Sequence, residues 1–275
     1  MTKKTMLAAF VAAFAFTSCH KDPQPTPDPE PEPTTQTVLT GMVATGVTFY
    51  DSVTYSYEYD DEYRITRIES HVTNNGYLIQ NLFLTYSDGH ILVAGTESES
   101  PVTIECTLDD EGRITHIERT SLLSDSTTLL TVDDFTYDAE GRLVSEHTLS
   151  GDSGQGATNT YVWEGDDIVA VNTEGGIISI EYVASHAPAQ ALFHILRYNI
   201  ELSALCAQGC FGTLPAHMPA QRTMTTSVPI PGMPPIIETS NYTYTVDAEG
   251  HLTTCVETGE TNDHTTNYTF NWEER

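Results

Sequence analysis

Positive charge is scarce in this chain: eleven lysines and arginines stand against 39 aspartates and glutamates, a formal net charge of −28. Such a field disfavours nucleic acid and anionic membrane surfaces as partners. Long apolar runs are scarce too. Beyond Phe16 no segment approaches the roughly 18 apolar residues of a membrane-spanning helix, so the rest of the chain is not expected to cross a membrane as a helix. Five cysteines in 275 residues are too few for a disulfide scaffold. The sequence has no G-x-S-x-G, no H-E-x-x-H and no phosphate-binding glycine loop. Its histidines are scattered, and His90, His116, His147 and His251 sit in or after turn segments, where a solvated side chain is expected. Cys206 and Cys210 form one C-x-x-x-C pair without a second pair of ligands, which makes a poor metal site. No catalytic residue, metal or cofactor is expected on these grounds.

What is present begins at the N-terminus. Lys3 and Lys4 precede an apolar run from Met6 to Phe16, then Thr17, Ser18 and Cys19. That is the layout of a secretory signal over residues 1–18. The junction resembles the lipobox of bacterial lipoprotein precursors, which implies that Cys19 is acylated and becomes the new N-terminus. The expected contact with the membrane is this lipid alone. Residues 19–37 alternate proline with acids and contain nothing that could seed a core, so they read as an extended linker. Cleavage would remove two of the eleven basic residues and none of the acids, for a net charge of about −30. The acids after Cys19 resemble the signal that exports some Bacteroidetes lipoproteins to the outer face of the cell. The expected address is therefore the cell outer membrane, surface-exposed, with the periplasmic face as the alternative.

From residue 38 to 275 one unit recurs: an aromatic-rich alternating run, an acidic or glycine turn, then an aliphatic residue opening a second alternating run. The clearest copies are F-L-T-Y-S-D-G-H-I (83–91), C-T-L-D-D-E-G-R-I (106–114), F-T-Y-D-A-E-G-R-L (135–143) and Y-T-V-D-A-E-G-H-L (244–252). The residues before the turns, Tyr59, Tyr86, Leu108, Tyr137, Trp163 and Val246, act as anchors. Tyr57, Leu84, Cys106, Phe135, Tyr161 and Tyr244, two positions earlier, share their face. Ile65, Ile91, Ile114, Leu143, Ile168 and Leu252 lie across the turn. One face is apolar and the other is threonine, serine and acid, as in an antiparallel sheet with one solvated side. The glycines at 89, 112, 141 and 250 suit turn positions of positive φ. In the first unit Tyr63 stands where the others have glycine, and the turn after Trp163 is shortened. The acidic turns are too short to wrap calcium.

The pattern predicts an all-β fold, an antiparallel meander of roughly 14 strands forming a curved sheet or open barrel-like body. It is interrupted at about 185–235. There Leu192, Phe193, Leu196 and Ile200 have helical spacing, although Tyr198, Ile200 and Leu202 also alternate like a strand. A short helix followed by a long proline-rich loop is expected, and that insertion is the best candidate for the wall of a ligand site.

The T-Y-D-A-E-G-R-L stretch at 136–143 resembles the tyrosine-aspartate (YD) repeats of large bacterial shells. The whole layout, with the Gly212–Pro215 segment in the interruption, resembles a Bacteroidetes lipoprotein family built on a domain of unknown function described as having a porin-like fold. The resemblance implies a fold and an address and carries over no catalytic residue. An acidic row such as Glu58, Asp60 and Glu62 would be costly in lipid, so a porin-like shape does not imply a pore. The expected function is a non-catalytic binding or structural module for a glycan or protein ligand, with Tyr55, Tyr57 and Trp163 as contacts if exposed. The alternatives are a secreted hydrolase with its site near the insertion, or a subunit of an outer-membrane complex.

Overall fold

The computed structural model describes residues 36–47, 50–122, 127–151, 156–186, 200–228, 230, 233–260 and 264–275. The signal segment, Cys19 and the linker up to residue 35 lie outside the described residues. The strands are β1 (Thr37–Val47), β2 (Tyr50–Tyr59), β3 (Ile65–Val72), β4 (Leu78–Ser87), β5 (His90–Glu97), β6 (Ser100–Leu108), β7 (Ile114–Leu122) and β8 (Thr128–Tyr137). They continue as β9 (Leu143–Ser150), β10 (Gly156–Glu164), β11 (Asp167–Thr173) and β12 (Gly176–His186). A helix α1 (Ile200–Ala207) precedes β13 (His217–Thr226), β14 (Ile236–Val246), β15 (Leu252–Gly259) and β16 (Thr265–Glu274).

Every strand pairs antiparallel with its sequence neighbours. β1 also pairs with β16, with Met42 opposite both Phe270 and Tyr55, so the sheet closes into a barrel. Closure leaves no exposed sheet edge. The sequence pattern gave a meander of roughly 14 strands and left it open; the ring has sixteen and is shut. One strand went unread because of its composition. β13 lies inside the expected long loop, has no aromatic residue, and carries Pro219 opposite Tyr182 at a register shift, where a missing N–H is tolerated. Of the helix expected between 187 and 205, residues 187–199 lie outside the described residues and α1 supplies the rest.

Alternation sends the apolar face inward. Along β4 Gln80, Leu82 and Leu84 are buried, while Phe83 and Thr85 face out. Ile68, Ile114, Leu205 and Leu252 are fully buried, each worth about 1.5–3 kcal/mol in transfer free energy. Outside, Glu58 pairs with Arg67 at 2.9 Å, and Glu105 stands opposite Glu118 in exposed positions.

The acidic turns are explained by hydrogen bonding. Asp109 Oδ1 accepts the N–H of Glu111 (3.0 Å) and of Arg113 (2.9 Å), and Oδ2 accepts Arg113 Nε at 2.7 Å. Asp60 and Asp138 repeat this with Arg64 and Arg142, and Asp247 with His251. These carboxylates are thus engaged by N–H donors. Gly141 takes φ 76°, and Tyr63 adopts φ 61° in the corresponding place, with its hydroxyl donating to the Arg275 carbonyl at 3.1 Å.

The same arginines couple one hairpin to the next. Arg64 lies over the ring of Tyr86 at 4.8 Å, Arg113 over Tyr137 at 4.8 Å and Arg142 over Trp163 at 5.6 Å. Each ring's polar tip donates to the preceding hairpin: Tyr86 to the Ile65 carbonyl (2.8 Å), Tyr137 to Ile114 (2.6 Å), Trp163 Nε1 to Leu143 (2.9 Å). The anchors therefore form a ladder around one rim of the barrel.

Candidate functional site

The insertion closes the rim that carries this ladder. Helix α1 ends in a Schellman motif, with Cys210 N–H bonded to the Leu205 carbonyl, Gly209 N–H to that of Cys206, and Gly209 at φ 79°. The following residues are stitched to successive turns: Ile114 N–H to the Cys210 carbonyl (2.7 Å), Thr213 N–H to Gly141 (2.9 Å) and Ala216 N–H to Asp166 (3.0 Å). Ala204, Leu205, Cys206 and Phe211 are buried with the barrel core, and Phe211 meets Phe135 edge to face at 5.2 Å. Gly212 is required at its position, because a Cβ there would lie 2.1 Å from the Gly141 carbonyl oxygen.

Between this plug and the wall lies a cavity of about 430 Å³, within the roughly 300–1,000 Å³ range of small-molecule sites. Leu39, Ile65, Ile91 and Leu108 give it an apolar floor; Glu62, Tyr63, Arg64 and Gln208 give it a polar mouth. Tyr57, Tyr59 and Tyr86 complete the walls, and Cys210 lines the plug side. The Tyr59 hydroxyl donates to the Leu39 carbonyl at 2.7 Å, and the Tyr86 hydroxyl also lies 2.9 Å from Gln208 Oε1. Gln208 Nε2 donates to the Tyr63 carbonyl at 3.4 Å. Glu62 and Arg64 pair at 3.0 Å.

The titration of these groups follows from burial. Desolvation pushes Tyr59 up to about 12 against the opposing charge of Arg275, and it also raises Tyr86. Burial, with a smaller contribution from Cys206, pushes the Cys210 thiol up to about 12, so it stays protonated at neutral pH. Cys106, Cys206, Cys210 and Cys255 are free thiols and all buried. No cluster of three or more metal-ligating side chains occurs among the described residues.

The aromatic residues singled out from the sequence are not brought together. Tyr57 is 5% exposed and lines the cavity wall; Tyr55 is partly buried beside it on β2 and packs on the core. Trp163 is on β10, eight places round the ring of sixteen, partly buried and committed to Leu143 and Arg142. It lines a separate gap of about 20 Å³ with Tyr161, Cys206 and Phe211. None of the three is an open platform. Ala207, Gln208 and Cys210 of the insertion line the larger cavity. Sequence reading identified Tyr59 and Tyr86 only as anchors and passed over Gln208, which has no repeat counterpart. Tyr63, conspicuous for replacing glycine, was the available signal.

Two solved structures share the architecture. A porin-like protein from Bacteroides uniformis matches at 17% identity over 86% of this chain and 96% of its own, with a TM-score of 0.62. One from Bacteroides vulgatus matches at 9% identity over 86% and 99%, with a TM-score of 0.60. A search of curated proteins returned no match. A family model covers residues 55–254, from β2 to the middle of β15, and takes in the acidic turns from Asp60 to Asp247 and the plug. The chain belongs to the family described as a domain of unknown function (DUF4595) with porin-like fold.

Proposed function

We propose that this chain is an exported lipoprotein whose barrel stands in water as a non-catalytic binding module, with the cavity beneath Arg64 and Gln208 as its ligand site. The supporting observation is the polarity of the ring: aliphatic side chains fill its plugged half, and residues such as Glu58, Arg67, Glu105 and Glu118 clothe it. A membrane barrel needs the reverse, an apolar lipid-facing row around a polar lumen. The plug further suits a closed body. Attachment that resists alkaline carbonate then falls to the lipid at Cys19, and Cys19→Ala should make the protein extractable from the membrane by alkaline carbonate. Unchanged retention with lipid would count against the anchor.

The cavity favours binding over turnover. Its thiol is held neutral, its tyrosine hydroxyls donate to main-chain carbonyls, and Glu62 is neutralised by Arg64. An apolar floor beneath a polar mouth suits a ligand with an apolar body and a polar end, such as a short peptide or a substituted glycan. Filling the mouth with Gln208→Trp tests this by calorimetry against a panel of oligosaccharides and short peptides. A ligand bound by the parent and lost in the variant, at similar melting temperature, supports the reading. A ligand bound equally by both overturns the site, and conversion of any panel member overturns the non-catalytic role.

A further inference from the structure

At the end of the barrel opposite the plug, most of the exposed large apolar side chains of the described residues gather, and they are densest where β13 turns into β14. Ile177, Ile230, Met233, Ile236 and Ile237 are each about half exposed. Ile177 and Ile237 flank Thr225 on neighbouring strands of one outer row, and Met233 N–H closes a turn onto the Ile230 carbonyl at 3.1 Å. From Ser227 to Ile237 the sequence S-V-P-I-P-G-M-P-P-I-I has no charged residue; the stretch 202–221 has none either, but there the apolar side chains, Leu205 and Phe211 among them, are buried, whereas here they are exposed. Four of those residues are prolines, which have no N–H to leave unsatisfied outside water.

We propose that this hairpin docks onto the electrically neutral surface of a lipid bilayer, inserting its aliphatic side chains among the headgroups. A second copy of the chain is a poorer occupant, since head-to-head contact would press together two strongly acidic bodies. The tether also permits a bilayer. The 17 residues from 19 to 35 span at most about 60 Å, whereas a ten-residue strand spans at most about 35 Å. The tether ends at Gln36, whose N–H pairs with the Arg275 carbonyl at the plugged rim. A tether of that length is no bar to the far end's meeting the bilayer that holds the lipid. That geometry rests on the lipoprotein reading; the affinity of the tip for lipid does not.

The test is flotation of the full chain carrying Cys19→Ser with phosphatidylcholine vesicles. Co-flotation is expected, weaker on vesicles containing anionic lipid and restored there by salt. The exposed double variant Ile230→Glu, Met233→Glu should lose about tenfold or more in partitioning while melting unchanged. A Cys19→Ser chain that never floats, or a double variant that floats equally well, overturns the proposal. So does tip-dependent dimerisation, seen by sedimentation, without vesicle binding. Failure of the lipid anchor is read separately, from carbonate extraction of Cys19→Ala, which strips a surface-docked tip but not an acylated chain.

Discussion

The two ends of the barrel are built on different principles. At the plugged end the turns repeat one device, an aspartate gripping its own turn and an arginine stacked on the next ring, above an aliphatic interior. At the far end the interior turns polar. Gln80 donates to Glu97 at 3.2 Å, Glu97 pairs with Arg119, Tyr161 donates to the buried Glu146 at 2.8 Å, and Thr148 donates to Asp133. One tight turn there, Ser98–Glu99, places two non-glycine residues at φ 47° and 69°. The plugged end repeats one device, with Tyr63 its one non-glycine residue at positive φ among the described residues; the far end repeats none and exposes apolar tips.

The comparison is broken most severely in the core. Ile114→Ala should cost about 2–5 kcal/mol, whereas Leu130→Ala, 37% exposed at the far end, should stay within about 0.5 kcal/mol. Equal losses on urea denaturation would dissolve the distinction. Gly212→Ala should lower stability by roughly 2–4 kcal/mol, because the new Cβ would collide with the Gly141 carbonyl and the residue holds φ 73°. A melting temperature left unaltered would mean that this stretch of the plug is not seated on the rim. Tyr137→Phe removes one rung of the ladder and should cost about 1 kcal/mol, read from the urea midpoint. At the far end, replacing Ser98-Glu99 by Asn-Gly should raise stability by about 1 kcal/mol by relieving the turn; a loss would place the stabilising contacts in those side chains.

Acid should loosen the plugged rim through its aspartates. Partial desolvation pushes the Asp109 carboxyl up, but hydrogen bonds from Arg113 and Glu111 and the charge of Arg113 outweigh it and hold it below the usual carboxylate range. A depressed folded-state value means that the stabilisation is complete above the unfolded value of about 4 and fades as pH falls through the folded one. Asp109→Asn should therefore flatten the acid limb of melting temperature against pH, with little change in its slope at neutral pH.

How much was legible in the sequence follows the same division. The plugged end announced itself because a turn that needs Asp, Gly and Arg in fixed places must repeat their letters. Tyr63 was visible as a departure, and the structure gives it the glycine-like φ together with a wall of the cavity. The far end has no shared turn chemistry, so nothing in the sequence pattern marks Glu97, Arg119 and Glu146 as pointing inward. β13 was hidden by Pro219 and by its threonines. Closure was hidden as well, because β1 and β16 are joined by register across the whole chain. The cavity was half legible: its tyrosines stood in the repeat, but Gln208 acquires meaning only when the insertion folds back on the rim.

Ring-bearing and aliphatic positions from all hairpins turn to the inside of the barrel, and beneath the plug they pack against Leu205, Cys206 and Phe211. The four cysteines report on it directly, because Cys106, Cys206, Cys210 and Cys255 all lie inside, and burial pushes Cys106, Cys210 and Cys255 up to about 12. A water-soluble thiol reagent added to the Cys19→Ser chain without detergent should leave Cys106, Cys206 and Cys255 unlabelled in the folded state, Cys210 being reached only through the cavity mouth, and should label all four after denaturation. Rapid labelling of Cys206 in the folded protein would mean that the plug is not seated, and rapid labelling of Cys106 or Cys255 would mean that the wall faces the other way.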